Sequence, residues 1–455
     1  MIRATTAGAD PMNNPREIRY RSGIVAGLAI VYAFAGPGDL AAQDPAASTA
    51  TEVTLEEAVE RALAHSPQMA QSRQQVLNAE ESKRTAWGAF LPSLSGSAGG
   101  SLRSTERFDQ ATDRVVAGSS DSYNAGVSAR YTLFAGGERF ASLDAARAGV
   151  SAASAQAVDQ RFAVILDTKN QFFEALRQDE LAAVASARVQ TAEESLRMTR
   201  ERAQLGEATS SDTLRARLEL VRARQAELQA ESTLRNARVS LGRQIGIAGP
   251  VAPTPPATLD PRPLALDAQE ILGLAEEQSP SVQAATASAT AAGAEVSAAR
   301  TQYLPSLNVS TGYDWANQAA SFGNGSTSWN VRLSMSYPIF NGFQRESQVA
   351  RAQASFDVAQ RQEEDVRLAA RAEADAALQA LRTQELAIDI GQEAVEVAEE
   401  DLRVVRERYR ANVARIFDVV ESQVALADAQ VELVQARYDY LLALAQLEAI
   451  LGREL

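Results

Sequence analysis

The strongest constraint on this chain is that its two halves repeat one another. Ser66-Pro67 recurs as Ser279-Pro280, and Leu91-Pro92-Ser93-Leu94 as Leu304-Pro305-Ser306-Leu307, both at an offset of 213 residues (279 − 66 and 304 − 91). Tyr131-Thr132-Leu133-Phe134 recurs as Tyr337-Pro338-Ile339-Phe340, now at an offset of 206 (337 − 131). Arg200-Glu201-Arg202 recurs as Arg406-Glu407-Arg408 at the same 206 (406 − 200), which also places Asp212 on Asp418. Anchors in one order at nearly constant spacing identify a duplication. A repeat of about 200 residues is a duplicated domain, because solenoid units are far shorter. The change of offset by seven (213 − 206) between Leu94 and Tyr131 marks an insertion in a surface loop.

Local patterns divide each copy in the same way. Between the copies, Gly249-Pro250-Val251-Ala252-Pro253-Thr254-Pro255-Pro256, then Pro261 and Pro263, is too proline-dense for helix and predicts an extended linker over 249–266. The first copy then spans 44–248 and the second 267–455. Each opens with a short helix, from Thr54 and Asp267, and Thr54 with Glu57 has the spacing of a capping box. The Ser-Pro pair breaks the pattern. A longer helix follows to Leu91 or Leu304, where the next proline stops it.

Beyond those prolines the period changes to two. Trp329, Val331, Leu333, Met335 and Tyr337 alternate with Asn330, Arg332, Ser334 and Ser336, and Tyr123 to Leu133 alternate likewise. This predicts a β-hairpin in each copy, over about 93–134 and 306–340, with one apolar and one polar face. Strands of about ten residues with Trp and Tyr near their ends suit a membrane. The polar stretches Ser104–Ser122 and Ala316–Ser328 read as external loops. Arg139–Leu205 and Phe343–Ala411 then contain no proline and are rich in Ala, Glu, Gln, Arg and Leu, predicting helices of about 100 Å. Leu205-Gly206-Glu207-Ala208 and Ala411-Asn412-Val413-Ala414 supply glycine or asparagine for a left-handed turn, and return helices run to about Ile245 and Leu451.

Composition removes several function classes. The 455 residues contain no cysteine and one histidine, and carry a formal net charge of −14. Disulfides, thiolate metal sites, a cysteine nucleophile and a lipidated N-terminal cysteine are excluded. The acidic balance argues against a nucleic-acid partner. His65, beside a helix break, reads as a surface or capping residue, and no catalytic constellation or cofactor site is legible. Arg16, Arg19 and Arg21 precede an apolar run from Gly23 to Ala35, and Leu40-Ala41-Ala42-Gln43 offers a cleavage site, so 1–43 reads as a signal peptide. A run of about 13 residues is short for a membrane helix.

Four membrane strands cannot close a barrel, and open edges are not tolerated in lipid. Copies must pool their strands: three give about twelve, whereas two give about eight, too narrow for a wide duct. The duplicated half, the Leu-Pro-Ser-Leu step into a strand, the Phe134-Ala135-Gly136-Gly137 and Phe340-Asn341-Gly342-Phe343 steps out of it, and the turn running from Asn412 to Glu421 together resemble the outer membrane efflux protein (TolC-type) family. The resemblance implies an α+β membrane protein: a homotrimer with a 12-stranded β-barrel, four strands per protomer, set in outer-membrane lipid and continued by a long periplasmic α-helical barrel. It further implies an exit duct for efflux or type I secretion, docked to a periplasmic adaptor and an inner-membrane pump.

Candidate site residues cluster at the second helix turn. Asp418 and Glu421 share a helix face at i, i+3, and the resemblance implies that they line the constriction, with Asp212 as the first-copy counterpart of Asp418. Acidic rings favour cations. Arg215 stands where a counterpart of Glu421 belongs. Tyr409, Arg410 and Arg415 flank the turn, and the resemblance implies that they hold the tip shut, with ordinary surface arginine as the other reading; Ala203 matches Tyr409, so such a lock is asymmetric. Leu205, Gly206 and Glu207, with Ala411, Asn412 and Val413, form the turns an adaptor would grip. A periplasmic coiled-coil adaptor or scaffold also accounts for the long helices and export, but not for four alternating strands. A solute-specific porin is disfavoured by the helical majority. The cargo is not legible.

Overall fold

A computed structural model describes residues 51–111, 113–256, 261, 262, 264, 266–318 and 322–455. The signal-like segment 1–43, Pro263 and residues 319–321 of the second polar loop lie outside them. Each copy begins with a pair of short helices, α1 (Leu55–His65) and α2 (Pro67–Gly88) in the first, α5 (Ala268–Gln278) and α6 (Pro280–Arg300) in the second. The Ser-Pro pairs separate them for a clear reason. Ser66 and Ser279 accept the N–H groups of Met69 and Val282 as N-caps, and the following prolines take the first helical position, where no N–H is needed.

Two sequence expectations change here. Thr54 caps α1 by accepting the Glu57 N–H at 3.3 Å, but Glu57 turns away to pair with Arg61 at 2.9 Å, so no reciprocal box forms. Helices α2 and α6 also stop before Leu91 and Leu304, at Gly88 and Arg300, the latter followed by a 3₁₀ turn over Thr301–Tyr303. Leu304 is already extended (φ −105°, ψ 153°), as the residue before a proline must be, and the last turn unwinds to reach it.

Strands β2 (Ser93–Asp109), β3 (Arg114–Ala135), β5 (Ser306–Asn317) and β6 (Ser326–Ser336) form one antiparallel sheet in that order. Its register puts Ala98, Ala125, Trp315 and Thr327 in one row, and Gly96, Val127, Tyr313 and Trp329 in the next. The apolar face so formed is most open on β6, with Trp329 75% and Met335 70% exposed, while Leu307, Val309 and Trp315 of β5 are half-buried. The opposite face is joined by hydroxyls: Ser95 to Ser128 at 2.9 Å, and Thr132 to Asn308 at 2.8 Å.

The first polar loop is a correction. Ser104–Asp109 pairs with Arg114–Ser119, so most of 104–122 is a two-stranded ribbon, beyond the reach of β5, and among the described residues only Gln110, Ala111 and Asp113 (φ 48°) fall outside it. The polarity of that stretch reports its solvent, whereas serine, threonine and valine still satisfy their backbone groups in a ladder. A register shift between Thr132 and Phe134 brings Phe134, not Leu133, opposite Leu307. A bulge of this kind re-aims side chains at a barrel rim. β6 ends at Ser336, short of the expected 340.

The strands hand over to the long helices α3 (Glu138–Gln204) and α7 (Gln344–Arg410), each of 67 residues and therefore about 100 Å long. Gly136 (φ 58°) makes the first crossing possible, since an added Cβ would collide with the Leu304 Cβ at 2.3 Å. Arg139 and Arg345, again 206 apart, secure the two crossings alike. Arg139 stacks on Phe90 and Tyr131 and donates to the Leu133 carbonyl at 3.3 Å. Arg345 stacks on Tyr303 and donates to the carbonyls of Pro338 and Ile339. These arginines were not singled out in the sequence, although the repeat aligns them.

The return helices α4 (Ser210–Gln244) and α8 (Ile416–Leu451) cover only half of each long helix; α2 and α6 pack along the other half. Three buried clusters follow the helical axis. One gathers Phe172, Leu241 and Tyr438 under α1, one gathers Ile271, Leu381 and Leu447 under α5, and one lies at the turns. Burying each such side chain contributes about 1.5–3 kcal/mol. The linker is anchored where it begins: β4 (Val251–Pro253) pairs in parallel with β1 (Thr51–Val53), tying the start of the first copy to the start of the linker.

Candidate functional site at the helical tips

The two helix turns lie at the ends of α3 and α7 remote from the sheet. Gly206 (φ 78°) and Asn412 (φ 65°) take the left-handed conformation at matching positions. Open space surrounds Gly206, so backbone angle alone selects glycine there. At each turn an apolar side chain faces solvent, Leu205 at 75% and Val413 at 66% exposure. Glu207, Ala411 and Asn412 are exposed beside them.

Below the turns α3, α4, α7 and α8 share a small core of Leu196, Leu220, Leu402, Tyr409, Ile416 and Val419. Tyr409 is its bridge between the copies. Its hydroxyl donates to Thr199 Oγ1 of α3 at 3.2 Å, and the Arg202 guanidinium lies 4.4 Å from its ring centroid. Arg202 also donates to the Tyr409 carbonyl and lies 3.6 Å from Glu207. The sequence marked Tyr409 but missed Arg202 and Thr199, which lie about 200 residues away. Arg410 instead makes a local, exposed pair with Glu407 at 2.8 Å, and Arg415 is exposed.

Asp212 and Asp418 occupy the third position of α4 and α8, where a carboxylate meets free N–H groups and a favourable helix dipole. Asp418 accepts the Arg415 N–H at 2.8 Å. Asp212 forms a full capping box, accepting the Thr209 hydroxyl at 2.7 Å and the Thr209 N–H at 3.0 Å while Thr209 accepts its own N–H. The Thr209 hydroxyl holds the Asp212 carboxyl below its usual range, helped by the Thr209 N–H and by the charges of Arg215 and Arg202. Glu421 is exposed one turn further along α8.

The copies differ most in how each hairpin is bound. α3 and α4 are linked by Arg188 to Glu219, Arg224 to Glu193 and Arg238 to Asp179, each at 2.6 Å. At the positions matching Arg188 and Glu219 the second copy has Ala394 and Ala425, and α7 meets α8 closely at Gly391 against Leu433. Among the described residues no group of acidic, histidine or cysteine side chains is arranged to hold a metal, and no helix is long and apolar enough to cross a membrane.

An open sheet with one greasy and one polar face, set on paired helices far longer than a membrane is thick, defines a duct that crosses a membrane by its strands. The chain belongs to the outer membrane efflux protein family, whose model matches residues 58–246 and 271–453, one match to each copy. It is 30% identical over 353 residues to Protein CyaE of Bordetella pertussis (74% of this chain, 71% of the relative). It is 26% identical over 417 residues to Outer membrane protein TolC of Vibrio cholerae serotype O1 (88% of this chain, 90% of the relative). The fold matches the Campylobacter jejuni CmeC outer membrane channel with a TM-score of 0.76 at 20% identity, covering 88% of this chain and 85% of that one. The outer membrane protein VceC from Vibrio cholerae gives 0.73 at 20%, covering 88% and 96%. The protein is an outer-membrane efflux channel whose helices extend into the periplasm.

Proposed function

We propose that three copies close into one 12-stranded barrel and one helical barrel, forming a passive exit duct that performs no chemistry on its cargo. The observation that carries this is the sheet itself: its order leaves β2 and β6 as edges, and its apolar face is exposed. Neither is stable in lipid without neighbours. Joining β6 of one copy to β2 of the next removes every edge. The native chain has no cysteine, so introduced pairs report directly. Single cysteines scanned along β2 and β6 in one chain should link copies into a covalent trimer on a non-reducing gel. Within one protomer those edges lie about three strand spacings apart, roughly 14 Å, too far for a disulfide. Recovery of monomer alone at every pair would refute closure.

The helical tips then form the periplasmic entrance. Asp418 and Glu421 from three copies ring its lumen and favour cations, with Asp212 acting mainly as the cap of α4. Tyr409, held by Arg202 and Thr199, keeps the second-copy hairpin against the first; Arg410 and Arg415 frame the rim. The turns at Leu205, Gly206 and Glu207 and at Ala411, Asn412 and Val413 are the grip for a periplasmic adaptor coupled to an inner-membrane pump. Exposed Leu205 and Val413 supply the apolar contact, and a groove of about 300 Å³ of mixed charge, lined by Glu193, Arg197, Arg200, Glu201 and Arg224, lies beside the first turn. Residues 1–43 act as the export signal, 44–248 and 267–455 as the two copies and 249–266 as their linker. Crosslinking from Gly206→Cys and Asn412→Cys tests the docking: capture of the same periplasmic protein from both turns is expected, and capture from neither would overturn it.

A further inference from the structure

The polar face of the sheet concentrates its charge in one row. Where all four strands pair, that face consists of serine, threonine, asparagine, glycine and alanine except for Arg130, Arg332 and Asp314. The register aligns Ser93, Arg130, Ser310 and Arg332 across the four strands. Both arginines are exposed and sit two strands apart, about 10 Å, with only Ser310 between them. Asp314 is four residues further along β5, about 13 Å from that row, and its carboxylate fills the space left by Gly126, where an added Cβ would collide with it. The adjoining rows contribute Thr132, Asn308 and Ser334 on one side and Ser95, Ser128 and Asn330 on the other, all neutral hydrogen-bonding groups. The row lies at the helical end of the sheet, one residue beyond Pro92.

We propose that Arg130 and Arg332 form an anion-binding belt inside the duct, where the helical barrel passes into the β-barrel, and that it takes multivalent oxyanionic groups of cargo such as phosphates or clustered carboxylates. This rests on the trimeric barrel proposed above, with the polar face inward. Three copies then place three pairs of guanidinium groups around one level of the lumen. Guanidinium forks bind phosphate and carboxylate oxygens in pairs, and rings of charged side chains lining a pore set its ion preference. The belt is opposite in sign to the Asp418 and Glu421 rings. A 67-residue helix separates the two, about 100 Å and many Debye lengths in physiological salt, so each acts on its own. The duct therefore admits cations at one end and retains polyanions at the other.

The test is planar-bilayer recording of the purified trimer with sodium tripolyphosphate added on the β-barrel side. The wild-type channel should be blocked, and the half-blocking concentration should rise about tenfold or more in Arg130→Ser, Arg332→Asn. Arg130→Lys, Arg332→Lys should retain most of the block, and Asp418→Asn, Glu421→Gln should leave it unchanged. In the wild-type channel, raising KCl from about 0.1 M to about 1 M should weaken the block severalfold as screening tightens, a readout that does not depend on any variant folding. Equal block with and without the arginines, or block indifferent to salt, overturns the belt while leaving the duct intact. A trimer that conducts nothing in any form overturns the duct and the belt together.

Discussion

Replacing Arg202 by methionine isolates the contact between the two copies at the tip. Methionine keeps an unbranched apolar stem over the Tyr409 ring and removes the charge and the donors. Arg202 is 13% exposed, so its interactions are only weakly screened. Its charged hydrogen bond to the Tyr409 carbonyl contributes about 1.5–3 kcal/mol, and the guanidinium over the ring, at 4.4 Å, about 0.5–2 kcal/mol. The approach to Glu207 adds little, since Glu207 is 48% exposed. One side chain makes all these contacts, so they do not add fully, and a loss of about 2–3 kcal/mol is expected. That corresponds to a shift of roughly 30- to 150-fold between closed and open tips, at 1.4 kcal/mol for each factor of ten. Single-channel recordings of Arg202→Met should show the low-conductance state depleted by that order. Tyr409→Phe loses only the hydroxyl bond to Thr199, about 0.5–1.5 kcal/mol or about tenfold at most. Arg410→Ala should stay within about twofold, because its pair with Glu407 is exposed. An Arg202→Met channel with wild-type occupancies, or an Arg410→Ala effect exceeding it, would refute the assignment of the lock.

Three further outcomes follow from the same geometry. Asp418→Asn with Glu421→Gln keeps an acceptor for the Arg415 N–H while removing charge, so cation selectivity should fall by several-fold in reversal-potential measurements with the tip still folded; unchanged selectivity excludes the acidic ring. Arg188→Ala strands a carboxylate, Glu219, that is 5% exposed, and should cost about 3–5 kcal/mol in denaturant unfolding, whereas Arg188→Ala, Glu219→Ala, which copies Ala394 and Ala425, should recover most of it. Equal losses in the single and double variants would show that the pair itself stabilises the hairpin. Because the folded-state pKa of Asp212 is depressed, its capping contribution is complete above the unfolded carboxyl range and is lost only as pH falls through the lowered folded value. The hydrogen-exchange protection factor at the start of α4, taken relative to the unfolded chain at the same pH, should therefore hold steady from pH 7 to about 5, and Asp212→Ala should lower that protection by about 1 kcal/mol; a decline in protection already visible between pH 7 and 6 would contradict the assignment.

The sequence alone determined whatever depends on near neighbours along the chain. Period-two alternation placed both hairpins, proline-free Ala- and Glu-rich runs gave both 67-residue helices to within a residue or two, and Gly206 and Asn412 located the turns because only certain residues accept positive φ. Duplication and the exposed strand pattern together led to the duct. Some local expectations failed where a tertiary context outweighed propensity. The polar stretch 104–122 stays in a ladder because its backbone finds a partner strand, and α2 and α6 unwind early because the chain must turn into the sheet. What only the tertiary structure decided lies between residues far apart in sequence. The bond of Tyr409 to Thr199 spans 210 residues, and the row of Ser93, Arg130, Ser310 and Arg332 spans 239 (332 − 93). The first follows from how one copy seats against the other, and the second from the register of the strand ladder. Alternation says that a residue faces the polar side of a strand. Only the pairing of all four strands says which residues share its level, and electrostatic interaction depends on that distance.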